Sequence, residues 1–409
     1  MILRTHKIAL DINNEQRTHL TKCAGVSRFA YNWALSEWNC MYEAYKANYL
    51  LQKPNQGIIR RKLNAIKREQ FPWMLEVSKC VPQEAIIDLG KAFSNYFFNR
   101  ANRPVYKKKG LHDSFRISSG SFFIEGKTIR LPFIGVLRMC EELRYKDARP
   151  VSVTISRTAA RWYASIVCEV CVNKQVINST HNIGNARIIG IDAGVNAYVS
   201  SDGNVHAVLR SYRNAEKKLC REQKALSRKK KGSQNWKKQK LKVAKQYTRI
   251  VNARNDSLHK TTTCIVNAAD IIVIEDLYVN GMIKNRCLSK SISDASFGEF
   301  RRQIVYKSET AGKILVIADR YYPSSKTCSK CGAKTKHLTL GIREWTCETC
   351  GSLHNRDINA AINLKKYAES SLASARREFF ASPEPVLYRP SASNLYEAGT
   401  KHQFAQLAN

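Results

Sequence analysis

The sequence predicts a multidomain α/β protein, and three observations carry that prediction. Its 409 residues are too many for one small core, so we expect two or three structural units. Short apolar runs that alternate with polar residues and stop at turn residues predict strands. Large apolar residues that recur every three or four positions predict helices between those strands.

The first half of the chain carries both patterns. Residues 2–11 alternate loosely and predict a strand, while residues 127–139 and 150–172 predict antiparallel strands of a small barrel or sandwich. Residues 29–45 and 85–97 have helical spacing of aromatic and aliphatic residues, for which a helical core is the simplest explanation. If residues 2–11 pair with the later strands, the helical block is an insertion within a β domain. The sequence leaves that pairing open.

The second half opens with a predicted linker, the polar residues 172–186. Short strands with a turn at residues 201–204 precede residues 211–260, which hold 17 Lys or Arg against 3 acidic residues. This basic stretch predicts a long helical hairpin that turns at residues 228–233. The second helix has a thin predicted seam with these members: Trp236, Leu241, Ala244, Tyr247, Val251, Arg254 and Leu258.

The charge of the chain favours a polyanionic partner. Lys and Arg number 68 against 33 Asp and Glu, which leaves a net charge of +35 at pH 7. Such an excess repels itself in a folded protein, and nucleic acid would neutralise it with release of condensed counterions. A membrane surface is the weaker alternative, because the sequence has no lipidation signal and no stretch of ~20 apolar residues.

Two basic segments contain the candidate contacts to nucleic-acid backbones. Residues 103–116 interleave basic and aromatic residues, which suits phosphate contacts and some base stacking, although a solvated loop would have the same composition. The turn of the hairpin concentrates cations that repel one another unless something anionic lies along them. The candidate side chains are Lys107, Lys108, Lys109, Arg116, Arg228, Lys229, Lys230 and Lys231.

Four of the thirteen cysteines form a zinc-ribbon signature. Cys328 and Cys331 form one CxxC pair, Cys347 and Cys350 form another, 15 residues separate the pairs, and a glycine follows each. Four thiolates close a tetrahedral site with no open position, so we expect a structural Zn²⁺ ion.

The remaining cysteines are spread thinly. Cys168 and Cys171 have the same short spacing, but they lie in a predicted strand, where residues three apart point to opposite faces. A buried cysteine is therefore expected there. The number of cysteines is odd and shows no disulfide pattern, which predicts a reducing compartment. Charged residues interrupt the N-terminal segment, so it does not have the apolar core of a secretory signal. We therefore expect a cytoplasmic protein.

Three acidic residues stand where a catalytic site would be built. Asp192 and Glu275 end the apolar runs of two predicted strands, and Asp357 begins a helix-like segment. Each acid alone would be explained by its place at the end of a strand or helix. Together, the order of strands, basic helices, strand, helix, strand, cysteine cluster and helix predicts an RNase H-like fold. Acids that converge there would bind Mg²⁺, which prefers oxygen ligands, and would hydrolyse a phosphodiester.

Eight segments carry a family resemblance: AGVSRFAYNWAL, GIDAGVNAYVSSDG, SRKKKGS, IIVIEDLYVNGM, SISDASFGEFRRQ, YYPSSKTCSKCG, WTCETCG and HNRDINAAINL. In this order, over residues 1–366, they resemble the TnpB family of insertion-sequence-encoded nucleases, which are related to the compact type V CRISPR effectors. The resemblance implies that Asp192, Glu275 and Asp357 are the catalytic acids and Mg²⁺ ligands. The family usually has Asp-Arg-Asp where this chain has Asn355-Arg356-Asp357. The outer acid is the missing one, so Asp357 stays the expected third ligand.

The resemblance also implies a function and a domain organisation. TnpB-like proteins use a guide RNA to find double-stranded DNA beside a short flanking motif, and a RuvC domain of RNase H-like fold cuts it. The segment of residues 281–296 resembles the family's loop over the active site, and residues 369–409 are expected to form a disordered tail. The implied domains are a wedge-like β-barrel (1–12 and 103–180), a helical recognition lobe (13–102), a RuvC domain (187–325 and 353–368, with the basic hairpin at 209–267) and a zinc ribbon (326–352).

Other interpretations stay open. An unguided, structure-selective RuvC nuclease would copurify without RNA. A CRISPR-associated effector of the same architecture would differ in the DNA that neighbours its gene. A guided binder without nuclease activity would have lost one of the acids, and all three are present here.

Overall fold

Two compact units divide the chain, an N-terminal unit of residues 1–173 and a C-terminal unit of residues 174–409. The computed structural model describes residues 2–171, 186–285, 287–335, 338–339 and 341–381. Almost the whole predicted linker, residues 172–185, lies outside the described residues. Within those ranges no helix has the length and apolar character needed to cross a membrane.

Helices follow the first strand of the N-terminal unit. They are α1 (Asn14–Ala47), α2 (Gln56–Gln70), a short 3-10 helix (Pro72–Glu76) and α3 (Cys80–Phe97). A capping box begins α1: the Asn13 side chain accepts from the Gln16 N–H at 2.8 Å, and the Gln16 side chain accepts from the Asn13 N–H at 3.1 Å. The predicted helical core is confirmed, since Trp38 of α1 stacks on Phe93 of α3 with 4.4 Å between ring centroids.

An antiparallel sheet of seven strands forms the rest of the N-terminal unit, in the order β2-β6-β7-β1-β5-β4-β3. Its strands are β1 (Ile2–Asp11), β2 (Ser114–Ser118), β3 (Phe123–Glu125), β4 (Thr128–Leu131), β5 (Gly135–Met139), β6 (Arg149–Thr158) and β7 (Arg161–Val170). Residues 2–9 of β1 pair with β7, and Leu10 and Asp11 pair with β5. The pairing that the sequence left open is therefore present, and α1 to α3 are inserted between β1 and β2. In residues 2–171 no pairing joins the end strands β2 and β3, so a closed barrel stays a prediction.

One hydrophobic core joins these helices to the sheet. Residues from both parts belong to a single buried cluster, among them Ile8, Leu35, Ile86 and Trp162, each no more than 1% exposed. The helical block therefore packs on the strands and shares their core. Cys168 and Cys171 point to opposite faces as expected, because Cys168 is buried whereas Cys171 is exposed.

A mixed five-stranded sheet is the centre of the C-terminal unit, in the order β10-β9-β8-β11-β12. Its strands are β8 (Ile188–Ala193), β9 (Ala197–Ser200), β10 (Val205–Ala207), β11 (Ile271–Glu275) and β12 (Ile314–Ala318). β8, β9 and β10 run antiparallel, and Gly203, with φ +85°, makes the predicted turn between β9 and β10. β11 lies parallel to both β8 and β12. The first four residues of β11 are buried, which is typical of a parallel strand covered on both faces.

The predicted basic hairpin is present as α4 (Ser211–Ser227) and α5 (Gln234–Ala268). Gly232, with φ +89°, lies in the predicted turn. Ser233 caps α5 by accepting a hydrogen bond from the Trp236 N–H at 3.1 Å.

The apolar seam of the hairpin differs from the predicted one. Leu219, Val243 and Ile250 are its buried members, with Tyr247 packed against them. Leu241, which the sequence placed in the seam, is 38% exposed, so the prediction was wrong at that position. A helix this polar has few apolar residues to fix its phase, and the steps from 243 to 247 to 250 match its period as well as the predicted ones.

The remaining elements are α6 (Val279–Ile283), α7 (Ser289–Ala295), α8 (Phe297–Ala311), β13 (Glu344–Thr346), β14 (Leu353–Asn355) and α9 (Arg356–Ala381). β13 and β14 pair in an antiparallel ladder between the second cysteine pair and α9. The prediction of a disordered tail was wrong for residues 369–381, which continue α9 because they contain strong helix formers and no proline. Residues 382–409 lie outside the described residues.

Candidate active site

Asp192 and Glu275 lie side by side at the carboxyl ends of two parallel strands. β8 and β11 pair with Ile191 opposite Ile274, so the next residues along this register are Asp192 and Glu275. Glu275 also pairs with Ala318 of β12. The parallel pairing itself brings the two acids together, because both strands reach the same edge of the sheet in the same direction.

Gly190 brings α9, and with it Asp357, close to β8. A Cβ atom at Gly190 would lie 2.2 Å from the Ala361 carbonyl oxygen and 2.6 Å from the Lys365 backbone nitrogen. Glycine permits an approach of backbone to backbone that a side chain would prevent. Asp357 lies one turn before Ala361 in α9, and its charge acts on Asp192. The structure therefore brings all three predicted acids to one edge of the sheet.

Arg343 and Asn355 hold Asp357 in place. The Arg343 guanidinium Nη1 donates to Asp357 Oδ1 at 3.1 Å and to Oδ2 at 3.3 Å. The Asn355 side chain accepts from the backbone N–H groups of Asp357 and Ile358, both at 3.2 Å, and so caps α9. The departure from the Asp-Arg-Asp pattern thus falls at a helix-capping position, where asparagine serves as well as aspartate.

Burial and charge set the protonation of the two strand acids. The pKa of Asp192 lies well above its usual range, chiefly because the side chain is buried and further because Glu275 and Asp357 are near, while Arg356 and Arg343 act in the opposite direction. Burial also raises the pKa of Glu275, against the lowering effect of its hydrogen bond from Ser324. A cation at this position would stabilise the ionised carboxylates and reverse both shifts.

The three carboxylates suit a hard divalent cation, because Mg²⁺ prefers oxygen ligands and keeps several waters. They are less tightly grouped than the cysteines. Among the described residues, the four cysteines alone form a group of three or more His, Cys, Asp or Glu ligand atoms within 4.8 Å of one another. Arg343 contacts both oxygens of Asp357, so an ion bound by all three acids would share that carboxylate with the guanidinium.

Three polar side chains that the sequence did not single out support the acids. The Ser324 hydroxyl donates to Glu275 Oε1 at 2.5 Å. Asn363 Nδ2 donates to the carbonyl oxygens of Ser324 at 2.7 Å and Thr327 at 2.6 Å, and Asn359 Nδ2 donates to the Thr327 carbonyl at 2.8 Å. Both asparagines are buried, one turn apart on α9. The sequence signal for these two residues was the spacing of Asn359 and Asn363, which places two polar side chains four positions apart on the buried face of one helix.

The four predicted cysteines converge. The Cys328 and Cys350 sulfur atoms are 3.7 Å apart, and those of Cys331 and Cys347 are 3.6 Å apart. A tetrahedral Zn²⁺ ion with Zn–S bonds of ~2.3 Å holds its sulfur ligands about 3.8 Å from one another. The cluster therefore has the donor type and the spacing of a four-cysteine zinc site.

The two CxxC turns repeat one geometry. The Gly332 N–H donates to the Cys328 carbonyl at 2.9 Å, and the Gly351 N–H donates to the Cys347 carbonyl at 2.8 Å. Both glycines have positive φ, +78° and +68°, which accounts for the glycine after each pair. His354 of β14 contacts the Cys328 sulfur through Nε2 at 3.0 Å and connects the cluster to the start of α9.

The candidate nucleic-acid contacts lie in different environments. The Lys107 ammonium stands 4.0 Å from the Tyr31 ring centroid, and burial lowers the pKa of this lysine. Arg116 pairs with Asp88 at 3.1 Å and with Glu84 at 4.0 Å. These two cations are engaged within the N-terminal unit. The other six are exposed, except for the half-buried Lys229: Lys108, Lys109, Arg228, Lys229, Lys230 and Lys231.

The segment that resembles the family's active-site loop, residues 281–296, contains the end of α6 and all of α7. Its far end is anchored, because the buried Asp294 accepts from the Tyr212 N–H at 3.0 Å and the Tyr198 hydroxyl donates to the Ala295 carbonyl. Leu288, nearer the middle, is exposed. The gating role implied by the resemblance stays a prediction.

Sequence profiles of three families match the chain. They are OrfB_IS605, described as “Probable transposase”, at residues 169–286, the “Cas12f1-like, TNB domain” at residues 297–364, and the “Helix-turn-helix domain” of OrfB_IS605 at residues 1–47. In this chain the region matched by the “Helix-turn-helix domain” contains β1 and the single long helix α1.

Similar proteins cover almost the whole chain. A “Putative RNA-guided DNA endonuclease” from Streptomyces pristinaespiralis is 34% identical over 373 residues, which are 89% of each protein. The “Putative RNA-guided DNA endonuclease InsQ” from Escherichia coli (strain K12) is 32% identical over 95% of this chain and 98% of its own length. In the cryo-EM structure of a Cas12f1-sgRNA-target DNA complex, one chain superposes with a TM-score of 0.54 at 12% identity, over 89% of this chain and 98% of that one. That likeness concerns the fold, which is multidomain α/β and Cas12f-like. Because full-length relatives exceed 30% identity, the chain belongs to the TnpB family of IS605-type elements.

Proposed function

We propose that this protein is an RNA-guided DNA endonuclease that cuts double-stranded DNA next to a short flanking motif. The main support for the proposal is the position of the three acids. Asp192 and Glu275 end neighbouring parallel strands, and Asp357 lies on α9, which packs closely on β8 at Gly190. Hydrolysis joins a water oxygen to the scissile phosphorus and releases the 3′ oxygen, which leaves 5′-phosphate and 3′-hydroxyl ends. Relatives named as RNA-guided DNA endonucleases support this function.

Asp192, Glu275 and Asp357 would hold Mg²⁺ in this proposal. When bound, Mg²⁺ activates the attacking water and stabilises the leaving oxygen. Ser324 fixes one oxygen of Glu275 by its hydrogen bond, which leaves the other oxygen for the ion. The Arg343 guanidinium, which contacts both oxygens of Asp357, would also be suited to the scissile phosphate.

The four-cysteine cluster has a structural role in this account, with Zn²⁺ as the proposed ion. The chain leads from Ser324, which contacts Glu275, directly into Cys328 and Cys331. It leads from Arg343, which contacts Asp357, directly into Cys347. Metal binding at the cysteines would therefore fix the two segments that position two catalytic acids, because structural zinc binding is coupled to folding.

Guide RNA and target DNA explain the net charge of +35. Two nucleic acids held together present many phosphates, and each contact to a phosphate needs a cation. We assign the exposed lysines and arginine at the turn of the basic hairpin to this role, together with Lys108 and Lys109. In the same proposal, residues 1–12 and 103–180 form the wedge-like domain, residues 13–102 form the recognition lobe, and the protein acts in the cytoplasm.

The experiment that tests guidance starts from RNA. The protein is expressed with the DNA that follows its gene, purified, and the RNA bound to it is sequenced. A single structured RNA that ends in a variable segment is expected, and a plasmid that matches this segment should be cut in the presence of Mg²⁺. Defined RNA that fails to direct cutting would overturn guidance, as would cutting that ignores the match. Activity on branched DNA without RNA would favour the unguided alternative.

A further inference from the structure

An exposed group of aromatic and cationic side chains lies beside the candidate active site. Tyr278 follows Glu275 by three residues, and Tyr321 precedes Ser324, the hydrogen-bond donor to Glu275, by three residues. Three residues of extended chain reach at most ~11 Å. The Tyr278 backbone therefore lies within ~11 Å of the Glu275 backbone, and the Tyr321 backbone lies within ~11 Å of Ser324, on the loops that leave β11 and β12.

Arg320 is bound to a carboxylate within this group. Its Nε and Nη2 donate to Asp276 Oδ2 at 3.0 and 2.6 Å, and Asp276 also accepts from Arg301. The Arg320 guanidinium carbon lies 5.6 Å from the centre of the Tyr278 ring. An arginine held by a carboxylate loses less entropy when it meets a phosphate or a base.

The Tyr278 ring lies against Gly281. A Cβ atom at residue 281 would lie 2.4 and 2.6 Å from two carbons of that ring, so the ring would have to shift if residue 281 had a side chain. The Tyr278 carbonyl accepts from the N–H groups of Gly281 and Met282 at 3.1 and 3.2 Å. The ring is placed by these contacts and still leaves about half its surface, 52%, open to solvent.

Tyr321 is more exposed still, at 86%. A large aromatic ring turned to solvent beside a metal-binding acid contributes nothing to the core. Single-stranded nucleic acid is the partner that suits exposed rings next to cations, because bases stack on the rings and arginine contacts the backbone. Stacking tolerates any base, as a nuclease must when base pairing to RNA selects the sequence.

We propose that Tyr278, Arg320 and Tyr321 form a nucleobase-stacking site that holds the DNA strand next to the scissile phosphate. The site rests on the proposed function, since its substrate is the single strand that pairing with the guide RNA displaces. Tyr321 and Tyr278 stack on bases that flank the cut, and Arg320 contacts the phosphate between them.

The experiment measures base stacking through the fluorescence of a base analogue in the bound DNA. The complex of the full chain with its copurified RNA is mixed with single-stranded DNA of ~20 nucleotides, the length that guide pairing displaces, in a sequence that does not pair with the guide. One base is replaced by 2-aminopurine, whose fluorescence falls when it stacks, and the replacement is moved along the strand. Ca²⁺ replaces Mg²⁺ so that the DNA stays intact. The variants are Tyr321→Ala, Tyr321→Phe, Tyr278→Ala and Tyr278→Phe, with the exposed Tyr49→Ala in the N-terminal unit as the matched control.

Quenching is expected at one or two positions for the wild type, both Phe variants and the control. Tyr321→Ala and Tyr278→Ala should lose quenching at one position each and bind the strand about 5- to 100-fold more weakly, as expected for the loss of one stacked base. Full quenching and unchanged affinity in both Ala variants would overturn the site. Quenching that depends on the two tyrosines in a protein that never cuts DNA would support the site and remove the proposed nuclease function.

Discussion

Arg343 contacts the helix of the third acid twice. Its side chain donates to both carboxylate oxygens of Asp357, at 3.1 and 3.3 Å, and its backbone carbonyl accepts from the Arg356 N–H at 2.8 Å. Arg343 lies just before β13 and the second cysteine pair. Arg343 therefore joins the cysteine cluster to the candidate active site, and damage to one should reach the other.

Replacement of Arg343 should reduce cutting without loss of the bound RNA. In Arg343→Gln, Asp357 loses its ion pair and the phosphate loses a positive donor, so we expect cleavage at saturating Mg²⁺ to fall ~10- to 1000-fold. Arg343→Lys should recover part of this loss, because it restores charge without the forked geometry. Single-turnover cleavage of a guide-matched DNA measures the effect. Wild-type rates in Arg343→Gln would remove the side chain from the active site.

The close approach at Gly190 gives a prediction about stability. In Gly190→Ala the new methyl group meets the backbone of α9, so we expect a loss of about 1–3 kcal/mol in the free energy of unfolding and reduced cutting. Gly298→Ala in α8 is the matched control, since its methyl group would have nothing within 4 Å and alanine favours a helix. Urea denaturation of both variants decides the point. Equal stability of Gly190→Ala and the wild type would show that α9 does not approach β8 this closely.

The raised pKa of Asp192 predicts how stability depends on pH. The folded protein binds the Asp192 proton more tightly than the unfolded chain, whose pKa is about 3.9. Without a divalent ion, the free energy of unfolding therefore falls as the pH rises above this value. Asp192→Asn removes the buried charge, so the variant should melt at a higher temperature than the wild type at neutral pH in Mg²⁺-free buffer. The difference should shrink as the pH approaches 4, and added Mg²⁺ should stabilise the wild type alone.

Asp202 provides a control of opposite sign. Burial acts to raise the pKa of Asp202, but hydrogen bonds from the Ser200 hydroxyl and from the Asn204 and Asp202 N–H groups, together with the Arg187 charge, lower it overall. Asp202→Asn should therefore lower the melting temperature at neutral pH. Thermal melts of both variants between pH 4 and 8 make the comparison. A destabilised Asp192→Asn at neutral pH without Mg²⁺ would contradict the buried, raised-pKa carboxylate.

Loss of the cysteine cluster should impair cutting through the fold. Cys331→Ser removes one of four ligands, so we expect loss of bound zinc, a lower melting temperature and reduced cleavage together. Cys264→Ser, at an exposed cysteine of α5, should change none of the three. Metal analysis, thermal melts and cleavage rates give the result. A Cys331→Ser protein with full zinc content would disprove the four-cysteine site.

Much of this site could be predicted because its residues carry local signals. Asp192 and Glu275 end apolar runs that are strands by themselves, and two CxxCG turns each fold on their own backbone hydrogen bonds. Ser324 carries no such signal, because its partner Glu275 lies 49 positions away in sequence. Arg343 is hidden for a similar reason, as one cation among 68 Lys and Arg. Tertiary packing, which a pattern of residue types does not record, decides which of them reach the acids.

Cleavage of a plasmid that matches the copurified RNA is the decisive test of the three acids. Cutting is measured against Mg²⁺ concentration for the wild type, Asp192→Ala, Glu275→Ala, Asp357→Ala and the control Asp202→Asn. We predict Mg²⁺-dependent cutting by the wild type and the control, a loss of ~10³-fold or more in each of the three Ala variants, and unchanged binding of the RNA and the DNA. Cutting by Asp192→Ala, Glu275→Ala or Asp357→Ala at the wild-type rate would contradict the assignment of that acid to the catalytic metal site.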